Sequence, residues 1–70
     1  MKPEESVATF EAFVRRTAGR YQALARTYVR DASEAEDIVQ TAFMKAWRRW
    51  AIVQQSPGAD AWVARIVRNE

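Results

Sequence analysis

Ser33-Glu34-Ala35-Glu36-Asp37-Ile38-Val39-Gln40-Thr41-Ala42-Phe43-Met44-Lys45-Ala46-Trp47-Arg48-Arg49-Trp50 keeps helical spacing from end to end. Ala35, Ile38, Val39, Ala42, Phe43, Ala46, Trp47 and Trp50 recur at steps of three and four. At about 100° per residue they cover half of one cylinder. Ser33-Glu34-Ala35-Glu36 reads as a capping box, with Ser33 accepting from the Glu36 amide and the Glu36 carboxylate reaching back. Glu34, Glu36 and Asp37 suit the positive end of a helix dipole; Lys45, Arg48 and Arg49 suit its negative end. These residues predict a long amphipathic helix from about Ser33 to Trp50, around which the rest of the chain is organised.

Upstream, Val7, Phe10, Val14, Tyr21, Leu24 and Tyr28 recur at steps of three, four and seven, with Phe13 and Ala25 beside them. Gly19 falls in the middle, and a glycine costs about 1 kcal/mol inside a helix. A break near Ala18-Gly19 is expected, giving two helices of about Ser6–Thr17 and Arg20–Arg30. Downstream, Ala51 to Ala59 reads as a loop, with Ser56-Pro57-Gly58 as a turn signal. A last helix is expected from Ala59 or Asp60 to Asn69, with Asp60 as its N-cap and Trp62, Val63, Ile66 and Val67 on one side. No strand pattern, internal repeat or low-complexity segment is present. The fold class is all-α, a compact three- to four-helix bundle. Residues 1–5 are expected to be a disordered N-terminus, and residues 6–70 the domain.

Seventy residues make one domain. A chain of this size buries only about 60% of its unfolded surface, so its stability is marginal. The chain has no cysteine and no histidine. It therefore lacks a disulfide, a thiolate ligand and the commonest general base. Ser6, Ser33 and Ser56 have no base to activate them, and the side chains of Glu34, Glu36 and Asp37 point to different sides of their helix. Neither catalysis nor a metal or other cofactor is expected; the chain works by binding. No apolar run is long enough to span a bilayer, and no signal-peptide core follows Met1-Lys2-Pro3-Glu4-Glu5. A cytoplasmic protein without membrane insertion is expected.

Net charge is only +2, but its distribution is uneven. Asp31, Glu34, Glu36 and Asp37 make an acidic middle, and Lys45, Arg48, Arg49, Arg65 and Arg68 make a basic end. Such asymmetry suits different partners at the two ends, one of them carrying phosphates. Opposite the apolar arc of the long helix, Asp37, Gln40, Thr41, Met44 and Arg48 fall within about 100° of one another. Methionine and arginine are enriched at protein interfaces, where lysine and glutamate are depleted. On the last helix, Arg65 and Arg68 lie on the side opposite Trp62 and Ile66, among Ala61, Ala64 and Asn69. Arginine and asparagine are common readers of guanine and adenine edges. The alternative for both faces is ordinary solvated surface. Trp47 and Trp62 sit on apolar arcs and read as core. Trp50 reads either as core or as a platform that stacks on an unpaired base.

Ala35-Glu36-Asp37-Ile38-Val39-Gln40 with Phe43 soon after, then Ala61-Trp62-Val63 leading to Arg68-Asn69, resembles region 2 of the extracytoplasmic-function sigma factors, compact members of the sigma-70 family. The resemblance covers residues 6 to 70, and Phe10, Phe13, Tyr21, Leu24 and Ala25 agree with it upstream. It implies that Asp37, Gln40, Thr41, Met44 and Arg48 dock on the β′ clamp helices of bacterial RNA polymerase. It implies that the segment from Trp50 to Asp60, with Arg65, Arg68 and Asn69, recognises the minus-ten promoter element and holds a base flipped from the non-template strand. Lys45 and Arg49 join them in neutralising phosphates. Ile52-Val53-Gln54-Gln55 stands where that family usually carries a loop aromatic. Such sigma factors also carry a helix-turn-helix domain, region 4, which is expected to be absent from this chain, and some are held by an anti-sigma factor. A helical interaction module that binds polymerase or an anti-sigma factor without touching DNA stays open as the alternative.

Overall fold

The structure, a computed structural model, describes residues 3–54 and 58–69. Its helices run in the order α1 (Pro3–Ala25), α2 (Ala32–Arg48), α3 (Trp50–Val53) and α4 (Ala59–Asn69), with no strand among the described residues. The expected all-α class and small bundle are what is found. The long α1 makes the molecule a rod of 39 × 18 × 17 Å. α2 and α4 lie against α1 and against each other, and α3 closes the end.

The expected break at Gly19 is not there: α1 runs unbroken through Ala18-Gly19, and Gly19 keeps an ordinary negative φ. The reason lies in the stripe on either side of it. Phe13, Thr17, Tyr21 and Ala25 are all buried and follow one another at steps of four. A break at Gly19 would turn the two halves of this stripe apart. Burial of one large side chain contributes about 1.5–3 kcal/mol, which outweighs the roughly 1 kcal/mol that glycine costs. Thr17, the one polar residue buried among those described, donates its hydroxyl to the Phe13 carbonyl at 2.7 Å. α1 starts at Pro3, so Glu4 and Glu5 lie in its first turn rather than in a disordered tail; Met1 and Lys2 lie outside the described residues.

At its other end α1 stops at Ala25, five residues short of the expected Arg30. The chain tightens there, with the Thr27 and Tyr28 amides bonded to the Leu24 and Ala25 carbonyls at 3.0 Å. The Thr27 hydroxyl also donates to the Leu24 carbonyl at 2.6 Å. That side-chain bond competes with the helical ladder. Tyr28 consequently points outward and is 57% exposed.

The capping box is also corrected. α2 begins at Ala32, and its cap is Asp31, whose extended backbone lets the carboxylate accept from the Ser33 amide at 2.9 Å. A carboxylate satisfies the orphan amide and also faces the positive helix end, an advantage a serine hydroxyl lacks. Ser33 and Glu36 are instead exposed helix residues.

Arg49 ends α2 with φ −119° and ψ 24°, so the expected single helix to Trp50 is interrupted by one residue. α3 then occupies Trp50–Val53, taking up the residue expected to end the long helix and three residues expected to be loop. Trp50 and Val53 are buried while Ile52 between them is 70% exposed. Gln55, Ser56 and Pro57, which include two residues of the expected turn and part of the expected flipped-base segment, lie outside the described residues, as does Glu70.

Candidate interfaces on the two flanks of α2

Ala35, Val39, Ala42 and Ala46 form the buried centre of α2. Four small or β-branched side chains there let α1 and α4 come close on either side. The residues at the two edges of that buried strip then wall two different hollows.

On the α1 flank, Phe43 and Trp47 of α2 lean on Phe10 and Val14 of α1. With Gln40, Met44 and Arg48 they line an apolar groove of about 460 Å³. The ring of Phe10 lies 5.0 Å from that of Trp47 and 6.3 Å, edge to face, from that of Phe43. Trp47, expected in the core, is therefore a groove wall and remains 43% exposed. Met44 is 59% exposed on the rim. The residues read as polymerase-facing are all solvent-exposed: Asp37, Gln40, Thr41, Met44 and Arg48. Of these, Gln40, Met44 and Arg48 border the groove, whereas Asp37 and Thr41 lie on the outer face beyond it.

On the α4 flank, Lys45 and Arg48 of α2 and Arg49 just beyond it face Trp62, Arg65, Ile66 and Asn69 of α4 around two adjoining hollows of about 220 and 400 Å³. Among the described residues, no carboxylate pairs with Arg48, Arg49, Arg65 or Arg68. The hollow is thus a cationic, half-aromatic cleft with an amide at one end. Four residues read as DNA-binding come together here: Lys45, Arg49, Arg65 and Asn69. Arg65 lies beside Trp62 rather than opposite it, since positions three apart on a helix are neighbours. Arg68 is exposed but lines neither hollow; it points outward from α4.

Trp50 and Asp60 stand apart from this group. Trp50 is 5% exposed, with its ring centroid 5.1 Å from Phe10 and 5.2 Å from Phe13. Of the two readings left open for Trp50, the structure gives core; at 5% exposure its ring has no open surface on which a base could stack. Asp60 does not cap α4; it is the second residue of that helix. The Gly58 carbonyl accepts from the Trp62 amide at 2.7 Å as α4 begins. The Asp60 carboxylate turns away from the cationic cleft and towards α1, where it accepts from the Tyr21 hydroxyl and pairs with Arg20. The Tyr21 hydroxyl also lies 3.1 Å from the Asp60 carbonyl. The Tyr21 hydrogen bond and then Arg20 hold the Asp60 carboxyl below the usual carboxylate range, against the effect of burial. Burial, and next the bond to Asp60, push the Tyr21 phenol above its ordinary value.

Sequence reasoning missed Trp62 as a cleft residue and Phe10, Val14 and Trp47 as groove residues. The available signal was the edge of each apolar arc, where a large side chain borders Gln40, Met44 or Arg65. Among the described residues, no cluster of three carboxylates is arranged to hold a metal ion, and no helix is long and apolar enough to cross a membrane.

Residues 13–70 match the family model for Sigma-70 region 2. The chain is similar to the RNA polymerase sigma-E factor of Streptomyces coelicolor, 33% identical over 63 residues that cover 90% of this chain and 36% of the relative. The sigma-E factor of Streptomyces avermitilis is likewise 33% identical over 63 residues, covering 90% of this chain and 35% of the relative. The probable RNA polymerase sigma factor RfaY of Xanthomonas campestris pv. campestris is 40% identical over 47 residues, covering 67% of this chain and 12% of the relative. The chain therefore spans about a third or less of the length of these relatives. No solved structure matches it significantly.

Proposed function

The chain belongs to the sigma-70 region 2 family, and from that we propose that it is a transcription-initiation module whose two α2 flanks serve two partners. The outer face of α2, Asp37, Gln40, Thr41, Met44 and Arg48, docks on the β′ clamp helices of bacterial RNA polymerase in the cytoplasm. The cleft between α2 and α4 takes the non-template strand of the minus-ten promoter element. The module acts by binding, without a catalytic group or cofactor.

One observation carries this reading: a single helix separates an apolar groove from a cationic cleft. Lys45, Arg49 and Arg65 supply charge for backbone phosphates, and Arg68 adds a fourth cation on the outward side of α4. Trp62 supplies a partly exposed ring at the cleft floor. Aromatic stacking contributes about 1–3 kcal/mol per base, and an unpaired strand presents bases that a duplex hides. Asn69 and Arg65 can donate to base edges. The groove side has the opposite character, apolar walls with a methionine and an arginine at the rim, which suits packing against a helical protein surface.

Anisotropy titration of a labelled single-stranded minus-ten oligonucleotide tests the cleft. Three to four phosphate contacts predict a log–log salt slope of about −2 to −3. Arg65→Ala and Lys45→Ala should each weaken binding and flatten that slope, with circular dichroism confirming that the variants fold. Pull-down with a β′ clamp-helix fragment tests the outer face, where Asp37→Ala and Gln40→Ala should reduce capture. Clamp capture without any oligonucleotide binding would leave the protein-interaction module as the correct reading.

A further inference from the structure

Tyr21 is 1% exposed and touches three helices at once. Its ring lies 6.2 Å from Phe13 within α1 and 5.7 Å from Phe43 of α2, centroid to centroid. Its hydroxyl reaches both the carboxylate and the carbonyl of Asp60 in the first turn of α4. From the outside, Arg20 pairs with the same carboxylate and lies over the Tyr21 ring, 5.8 Å from its centroid.

Asp60 and the cleft residues occupy different flanks of α4. At about 100° per residue, Arg65 and Asn69 stand roughly 140° and 180° around the axis from Asp60. Val63 and Val67, both buried, hold α4 down between them. Ala59, Trp62, Ala64 and Ile66 pack against the same core at the edges, but hydrophobic packing is not directional and leaves the rotation of α4 less sharply defined than a hydrogen bond does. The Tyr21 hydroxyl, whose single proton faces both the carboxylate and the carbonyl of Asp60, supplies a directional contact.

We infer that Asp60 and Tyr21 are positioning residues for the cleft: they fix the rotation of α4 on α1 and so set Trp62, Arg65 and Asn69 against Lys45 and Arg49. This rests on the proposed strand-binding role of the cleft. It gives Asp60, a carboxylate that would repel phosphate inside the cleft, a place behind it.

The experiment uses the 70-residue chain and the variants Tyr21→Phe, Asp60→Ala, Asp60→Asn and Tyr21→Phe/Asp60→Ala, each at a temperature where circular dichroism shows it folded. Tyr21→Phe and Asp60→Ala should weaken binding of the minus-ten oligonucleotide about three- to tenfold, the effect of one net hydrogen bond. The double variant should be no weaker than Asp60→Ala. Asp60→Asn, which keeps an acceptor for the hydroxyl, should recover part of the loss. Capture by the clamp-helix fragment should be unchanged. In a nitrogen–proton NMR spectrum the Trp62 indole peak should move in Tyr21→Phe while the Trp47 peak stays. Wild-type affinity in Tyr21→Phe and Asp60→Ala, with the Trp62 peak unmoved, overturns the inference while Arg65→Ala still weakens binding. Equal loss of oligonucleotide and clamp binding also overturns it, since that marks general unfolding. If neither the wild type nor Arg65→Ala distinguishes the oligonucleotide, the strand-binding reading fails, and the Trp62 peak alone decides whether Asp60 sets the helix.

Discussion

The indole N–H of Trp50 donates to the Thr9 hydroxyl at 2.9 Å, fastening the short helix α3 to the N-terminal half of α1. Gln54, one residue past α3, lies 3.3 Å from the same hydroxyl. Thr9→Val leaves the indole donor without its acceptor, at an expected cost of about 1–3 kcal/mol. Trp50→Ala adds a cavity among Phe10 and Phe13 and should cost about 3–5 kcal/mol, most of the stability of so small a domain. Urea unfolding followed by circular dichroism measures both; a Trp50→Ala variant as stable as the parent would contradict the buried placement of this ring.

Gly19 is an ordinary helical residue whose missing Cβ would meet nothing within 4 Å. Gly19→Ala should therefore stabilise the domain by about 0.4–1 kcal/mol, through a less flexible unfolded chain. A raised urea midpoint with an unchanged slope is the expected result. A lowered midpoint would mean that the seam between α1 and α2 is tighter at Ala18-Gly19 than described.

The two candidate caps of α2 separate cleanly. Asp31→Ala should cost about 0.5–2 kcal/mol, since the Ser33 amide loses its acceptor and the helix end its negative charge. Ser33→Ala, at an exposed position, should stay within about 0.5 kcal/mol of the parent. The reverse order would restore the capping box.

The Tyr21–Asp60 pair gives stability a pH dependence on both sides. Asp60 has a lowered folded value, so its contribution is whole above the unfolded value near 3.8 and is lost as pH falls through the folded one. Tyr21 has a raised folded value, so its contribution is whole below the unfolded value near 10.0 and is lost as pH rises towards the folded one. Arg20 and then Arg16 supply the positive charges that act on Asp60. Unfolding free energy should thus decline at both extremes. Asp60→Asn should flatten the acid limb and Tyr21→Phe the alkaline limb; limbs that survive these changes must come from other groups.

The all-α class and the apolar arc of α2 were legible because strict helical spacing leaves few alternatives. The outer face, Asp37 to Arg48, was legible for the same reason. Errors arose where tertiary contact overrides local preference. Gly19 signals a break only until Phe13 and Tyr21 are seen to pack on one side of it. Asp31 rather than Ser33 caps α2, and the capping-box pattern at Ser33 hides this because both residues are good N-caps. Trp47 and Trp62 lie on apolar arcs but at their edges, and whether an edge residue is core or wall depends on how closely the next helix approaches. Asp60 could not be assigned from sequence, since its partners Arg20 and Tyr21 are 40 and 39 positions away.

Phe10 packs against buried Trp50 on one side and half-exposed Trp47 on the other, so the interior of this domain comes to the surface in the α1–α2 groove. An occupant of that groove would therefore complete a layer of the interior that folding leaves unfinished. Its binding free energy then adds to that of folding, by about 2.7 kcal/mol at a hundredfold excess over Kd. An occupied groove would therefore also lower the fraction of molecules that open, and with it their exposure to proteases.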